Sequence, residues 1–584
     1  MGKLLERSDV NPNRRDEIGQ TALSLAAEYG RRGVVDILVK RMDIDPNTSD
    51  RYGRTPLLCA VWNDEGAVKI LLERVDIEPD TRDASGLTPL SQAARYRHEG
   101  VVIMLLGRAD VNPDTTDVYG QPLLSFAAAH GYEGIVGVLL ARSDGNLNTV
   151  DEKGQTPLMG AAQKGHEGVV RMLLERLDVD PNTADENGQT PLFWAAREGH
   201  EAVVKVLLER VDVDPNTANE YGSTPLFGAA SQGHERVVKV LLERNDVNPN
   251  TPNNDGITPL YRAARKGYEG IAKTLLERLD IDPNTADGNG QTPLFWTALE
   301  GDDRVVKALL EQKDVNPNTA DKYGTTPLSG AAWEGHEGVV KMLVERLDVD
   351  PNTPNRDGRT PLFGAASQGH ERVVKVPLER NDVNPNTTNK YGTAPLSEAA
   401  WEGHEGIVKM LLERVDIDPN TANEYGQTPL FWAAHEGHEG VVKMLLERRD
   451  VNPNTPNKYG ITPLSRAAWK GHEGVVKSFL ERLDVDPNTI DEDGQTPLLW
   501  AARKGHEGVV KALLERADAN PDTTDLASET ALSQALKRGH HAIIKLLSTR
   551  INFISVSGCH RSRTLSSLKP PDIDQRPFKR IRRF

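Results

Sequence analysis

The sequence predicts an all-α solenoid of stacked helix-turn-helix units, and three observations carry that prediction. A block written most clearly at Gly188–Arg210 returns sixteen times, with its threonine slot at Thr21, Thr55, Thr88, Pro122, Thr156, Thr190, Thr224, Thr258, Thr292, Thr326, Thr360, Ala394, Thr428, Thr462, Thr496 and Thr530. Every step is 34 residues except the 33 between Thr55 and Thr88. Each block holds two short apolar stretches at helical spacing, followed by a segment rich in Asp, Asn, Pro and Gly. A period of this length means units that cannot bury their apolar faces alone and must stack.

The elements of one block follow in order. Thr190 suits a helix N-cap, and Pro191 suits the first turn, where no amide donor is needed. Leu192, Ala195 and Ala196 share one helical face, with alanines small enough for close stacking. Gly199 can take the left-handed conformation that ends a helix. A second helix is predicted through Val203, Val204, Leu207 and Leu208. The run Asp212–Gly222 has turn chemistry and leads to the next block.

Thr-Pro-Leu, Ala-Ala, Gly-His, the Val-Val and Leu-Leu pairs and the Asp/Asn-x-x-Gly turn together resemble the ankyrin repeat. The resemblance covers about residues 4–548 and implies a curved, elongated superhelix with β-turn or hairpin-like fingers. Two departures stand out. The histidine that usually follows Thr-Pro-Leu is Phe, Ser, Leu, Met or Tyr here, and the finger Asp-Val-Asp-Pro-Asn-Thr is one residue longer than the commonest form. In this the chain is similar to the long ankyrin arrays of fungi.

Hydrophobic residues make up 38% of the chain, enough for a thin continuous core. Cys59 and Cys559 are too distant in sequence to suggest a disulfide framework. No apolar run reaches membrane-spanning length and no signal peptide is evident, so an intracellular protein of cytoplasm, nucleus or both is expected, with no membrane contact. Charge is uneven. Residues 549–584 carry nine Lys/Arg against two Asp, a net of +7; with −16 for the whole chain, residues 1–548 carry −23. The second helices are nearly balanced, so the acidic excess falls on the fingers. That disfavours nucleic acid along the array and favours a basic or extended protein partner, bound by a monomer.

Three segments are expected. Residues 1–15 read as a partial N-terminal repeat, residues 16–548 as the array, and residues 549–584 as a basic, disordered tail. In the tail, Lys579, Arg580, Arg582 and Arg583 fit a nuclear-import signal. Within the array, Arg97 replaces a corner glycine. Pro377 replaces a leucine inside a second helix and predicts a kink there.

No enzyme motif is present, so no catalytic, cofactor-binding or metal-ligating residue is assigned. Histidines recur at His166, His200, His234, His336, His370, His404, His438, His472 and His506, but most are one layer apart, about 8–10 Å, too far to share a metal ion. The resemblance makes them structural, bonding neighbouring turns.

The aromatic residues are the informative ones. Positions +4, +7 and +8 after the threonine slot share a first-helix face away from +2, +5 and +6. All eight tryptophans lie there: Trp194, Trp296, Trp432 and Trp500 at +4, and Trp62, Trp333, Trp401 and Trp469 at +7. Tyrosines such as Tyr323, Tyr391, Tyr425 and Tyr459 recur three residues before the slot. In ankyrin proteins the fingers and this helix face line a concave binding surface, so these aromatics, with Arg197, Arg466 and Arg503, are the expected partner-binding residues. The alternative is that each finger tyrosine packs on the tryptophan of its own repeat and stiffens it.

The expected function is a non-catalytic protein-interaction scaffold or adaptor that binds a partner through this face, most of all in repeats ten to fifteen. Two rivals are a nuclear regulatory protein whose basic tail serves import or nucleic-acid contact, and the binding or sensor part of a longer protein with an N-terminal effector domain.

Overall fold

The computed structural model describes residues 11–116, 120–142 and 146–557, with side chains as far as 551. Thirty-two α-helices form among them, with no β-strand and two isolated bridges, Thr116 with Pro122 and Thr524 with Thr530. The chain divides into two units, Met1–Arg356 and Asp357–Phe584. Within each unit the helices come in antiparallel pairs. First helices pack on the first helices of adjacent repeats, and second helices on second helices.

The local reasons are those the residues suggest. Thr190 caps Pro191–Glu198 by accepting the Phe193 amide at 3.2 Å, and Pro191 occupies the first turn. Gly199 then closes the helix at φ 83°, a conformation that costs glycine little. Leu192, Ala195 and Ala196 are buried as expected, and so is Phe193, which stands in the slot of the usual histidine. That slot is buried in this chain, by large apolar or aromatic side chains such as Phe193 and by serine in repeats such as those of Ser329, Ser397 and Ser465. In the second helix, Glu201–Leu208, the buried set is Val203, Val204, Val206 and Leu207, while Leu208 is half-buried.

Each finger is a tight turn built on one side chain. The Asp185 carboxylate accepts the amides of Asn187 and Gln189, and its backbone pairs with Gln189 and Gly188. Successive fingers are then linked by backbone bonds such as Glu220 N–H to Asn187 O at 3.0 Å and Lys458 N–H to Tyr425 O at 2.9 Å. The fingers are therefore hairpin-like without forming strands.

Side chains bridge the layers as well. His200 Nε2 contacts Gln163 O at 2.9 Å, and His166, His234, His336, His438, His472 and His506 repeat the contact to the carbonyl 37 residues earlier. Asn182 spans the layers twice, donating to Asp212 O and accepting the Asp214 amide. Arg210 grips Asp212 and donates to the Leu174 and Arg176 carbonyls of the previous repeat. Each such bond is worth about 0.5–1.5 kcal/mol, and their recurrence makes each layer depend on its neighbours.

The irregular repeats are absorbed locally. Arg97 takes the left-handed corner at φ 58° where other repeats have glycine, and Ser528 does the same in a finger at φ 61°. Pro377 leaves its helix, Glu371–Leu378, as long as other second helices. Its last turn is rebonded, with the Glu379 amide reaching Val376 O at 3.3 Å. The last helix, His541–Ser557, runs through the expected array boundary at 548/549.

Candidate functional site

One packing rule recurs on the first-helix face. A side chain at +7 lies against the +4 side chain of the next repeat, 31 residues on. Helical Cα–Cβ bonds lean toward the N-terminus, so a residue from the last turn reaches back to the second turn of its neighbour. Trp401 stacks on Trp432 at 4.3 Å and 14°. Trp469 meets Trp500 edge-on at 6.4 Å. Arg265 lies 4.1 Å over Trp296, and Arg466 Nε donates to His435 Nδ1 at 2.7 Å.

In the first unit, Trp62 is exposed and packs on Tyr96 at 4.7 Å. Trp194 donates Nε1–H to Asp185 at 3.0 Å and lies beneath Arg197 at 5.3 Å. Trp296 lies beneath Arg265, and Trp333 is exposed. Tyr323 is exposed with Lys322 over its ring at 5.1 Å.

The second unit holds the densest cluster. Trp401 donates to Glu436 at 3.2 Å, and its stacked partner Trp432 lies 5.7 Å from His435. Trp469 is surrounded by three cations, Arg466 at 4.3 Å, Lys504 at 5.1 Å and Lys470 at 5.4 Å. Trp500 donates to Asp491 at 2.9 Å and has Arg503 at 5.4 Å.

Burial and like charge act together on the titrating groups. Burial holds His435 down to about 3, reinforced by Arg466, Lys470 and His472, so the ring is neutral and can accept from Arg466. Burial lowers the Arg466 guanidinium to about 10, opposed by Glu436.

Some expectations change here. Arg466 is 5% exposed, so it is no open surface charge but a buried cation beneath Trp469. Among the described residues no ring contact joins Tyr391 to Trp401 or Tyr459 to Trp469. The tyrosine rings carry Lys390 at 5.1 Å and Lys458 at 5.2 Å, and Lys458 also lies 3.8 Å over Tyr425. The tryptophans instead join neighbouring repeats. Lys579, Arg580, Arg582 and Arg583 lie outside the described residues.

The sequence reading missed His435, Glu436, Lys470 and Lys504, and it missed the pairing. The available signal was the 31-residue interval shared by Trp401/Trp432, Trp469/Trp500 and His435/Arg466.

Two indoles are buried without a partner, Trp296, whose Asp287 accepts the Tyr261 hydroxyl instead, and Trp432. Trp194 and Trp500 each donate to an aspartate nine residues earlier, but the equivalent of that aspartate for Trp432 is Asn423. Its Oδ1 accepts the Tyr425 and Gln427 amides and its Nδ2 donates to Gln427, leaving Trp432 Nε1 buried without a partner. Asn423→Asp supplies the acceptor, and a gain of about 1 kcal/mol in chemical unfolding is expected. No gain would mean that solvent already satisfies the indole.

Models described as ankyrin repeats in three copies match residues 2–83, 124–219, 211–287, 280–355, 344–423, 415–491 and 476–555, and a single-repeat model matches 85–117. No curated protein matches the chain.

Proposed function

Because the chain belongs to the ankyrin-repeat family, whose repeats are in general protein-interaction modules, we propose that it is a non-catalytic scaffold that captures an extended protein segment on its first-helix face. The observation that carries the reading is the two tryptophan pairs of the second unit, Trp401/Trp432 and Trp469/Trp500, whose rings are only half-buried by their neighbours. A tryptophan presents 150–250 Å² of rigid apolar area with a polar edge, and such residues dominate binding energies where they occur at interfaces. Successive repeats place these rings in a line along the stack, which suits an extended segment better than a compact knob. A basic stretch of partner suits the Trp401/Trp432 end, where Glu402 and Glu436 follow the rings.

The test is affinity purification with the full chain, beside a variant with Trp333, Trp401, Trp432, Trp469 and Trp500 changed to Ala. Circular dichroism and hydrogen exchange first establish that both are folded, since the pairs also join repeats. A partner bound by the parent and lost by the variant is expected. A partner held equally by both would make the tryptophans inter-repeat stitches and refute this reading.

A further inference from the structure

The array is acidic, yet the first helices of its last three repeats carry no carboxylate. Pro463–Lys470 contributes Arg466 and Lys470, Pro497–Lys504 contributes Arg503 and Lys504, and Ala531–Arg538 contributes Lys537 and Arg538. The two preceding first helices are opposite in sign, with Glu398 and Glu402 in Pro395–Glu402 and Glu436 in Pro429–Glu436. The charge reverses between the two tryptophan pairs.

Most of these cations lack a counter-ion. Among the described residues Lys470, Arg503, Lys504 and Arg538 form no ion pair, and Lys537 is matched by Glu529. Nearby carboxylates are engaged elsewhere: Asp491 accepts Trp500 Nε1–H, and Asp525 accepts the side-chain amides of Gln495 and Gln534. Glu492 and Asp493 remain exposed at the tip of one finger. The cations also repel one another. Burial lowers the Lys504 ammonium, and Arg503 and Arg538 add to the shift. Charge of one sign gathered on an apolar floor is costly to assemble and is relieved by an incoming anion.

We infer that Pro463–Lys470, Pro497–Lys504 and Ala531–Arg538 form a docking surface for an acidic, extended peptide segment, with Lys470, Arg503 and Lys504 receiving its carboxylates and the Trp469/Trp500 pair seating an apolar side chain between them. The inference rests on the reading of the first-helix face as the binding surface and gives the chemistry of its occupant at this end. Charge complementarity selects a short acidic segment over nucleic acid, because a long polyanion must also approach an array of net −23. Helix spacings of about 10 Å and a rise of about 3.4 Å per extended residue mean that about six residues cross the three helices.

The test uses the full chain and fluorescence anisotropy with three labelled probes, which are a Glu/Asp peptide containing one Leu, a Lys peptide of the same length and an oligothymidine. Binding of the acidic peptide is expected, weakening with added salt and falling about tenfold or more in Lys470→Ala/Lys504→Ala. Both lysines are exposed, so the variant folds. Lys205→Ala, which removes a lysine ion-paired with Glu201 at 2.6 Å on a second helix of the first unit, leaves the affinity unchanged. Binding of the Lys peptide alone, displaced by the loss of Trp401 and Trp432, overturns the acidic assignment and leaves the binding face standing. Binding of the oligothymidine alone, lost in the double variant, overturns it in favour of nucleic acid. Binding of no probe, or acidic-peptide binding indifferent to the double variant, overturns the acidic assignment, while the parent reading falls only if the tryptophan variant keeps its partner.

Discussion

Pro377→Leu raises the stability of the second unit by about 2–3 kcal/mol. The chain supplies its own reference. Pro225–Val240 and Pro361–Val376 are identical in sequence, and the helices Glu235–Leu242 and Glu371–Leu378 differ only by Leu241 against Pro377. In the leucine copy, Glu243 N–H bonds Lys239 O at 3.1 Å and Val240 is buried. In the proline copy, Glu379 N–H shifts to Val376 O at 3.3 Å and Val376 is half-exposed to its surroundings. Proline also removes the amide that would bond Val373 O, and its ring crowds that carbonyl. The link to the next repeat survives, since Arg414 still donates to Leu378 O at 3.0 Å. The gain is therefore local, and stability in a repeat array is a sum of repeat and interface contributions. Hydrogen exchange over residues 361–412 should slow in Pro377→Leu, with a higher urea midpoint for the second unit. Unchanged or faster exchange would show that the tighter last turn already compensates the lost bond.

The layered fold was legible because it is written in periodic residues. Thr190 and Pro191 state a helix start, Gly199 states its end, and the 34-residue return states the stacking. Phe193 was harder to place. A histidine slot filled by an apolar residue shows its burial only once neighbouring layers are in position. The site was legible in composition but not in contact. The tryptophans were found at +4 and +7, and helical periodicity puts those positions on one face of a single helix. Which of them touch depends on the axial offset between neighbouring helices, a tertiary quantity that no single repeat contains. Arg466 shows the consequence. Its type and slot suggest an exposed charge, yet the Trp469 ring above it and His435 beside it bury it. The charge reversal between Glu436 and Lys470 was present in the sequence, but the acidic total of the array concealed it.

Glu398→Gln makes the second unit more stable at pH 8 by on the order of 3 kcal/mol and leaves it unchanged at pH 4.5. Glu398 occupies the +4 slot that Trp432 and Arg466 fill in the next two repeats. Its +7 neighbour in the preceding repeat is Ser367, whose hydroxyl already donates to Gly364 O at 2.9 Å. Burial pushes the Glu398 carboxyl up to about 7 from 4.5; Arg359 pulls it down and Glu402 pushes it further up. The folded chain thus holds this proton more tightly than the unfolded chain. The associated stability is fully present below about 4.5 and is lost as pH rises through about 7. His435 acts in the opposite sense: its depressed value means that stability is lost as pH falls from 6.5 toward about 3. Only the difference between Glu398→Gln and the parent isolates the glutamate. That difference in urea midpoint should grow from pH 4.5 to pH 7 and then level off, and a difference independent of pH would refute the assignment. The same proton bears on binding, because Glu398 shares its helix with Trp401. Near neutrality this carboxyl adds its charge to those of Glu402 and Glu436 at the Trp401/Trp432 end, opposite in sign to the Lys470/Lys504 end. A partner that spans both pairs then meets a charge contrast that sharpens as pH rises, and Glu398→Gln should flatten the pH dependence of its affinity along with that of stability.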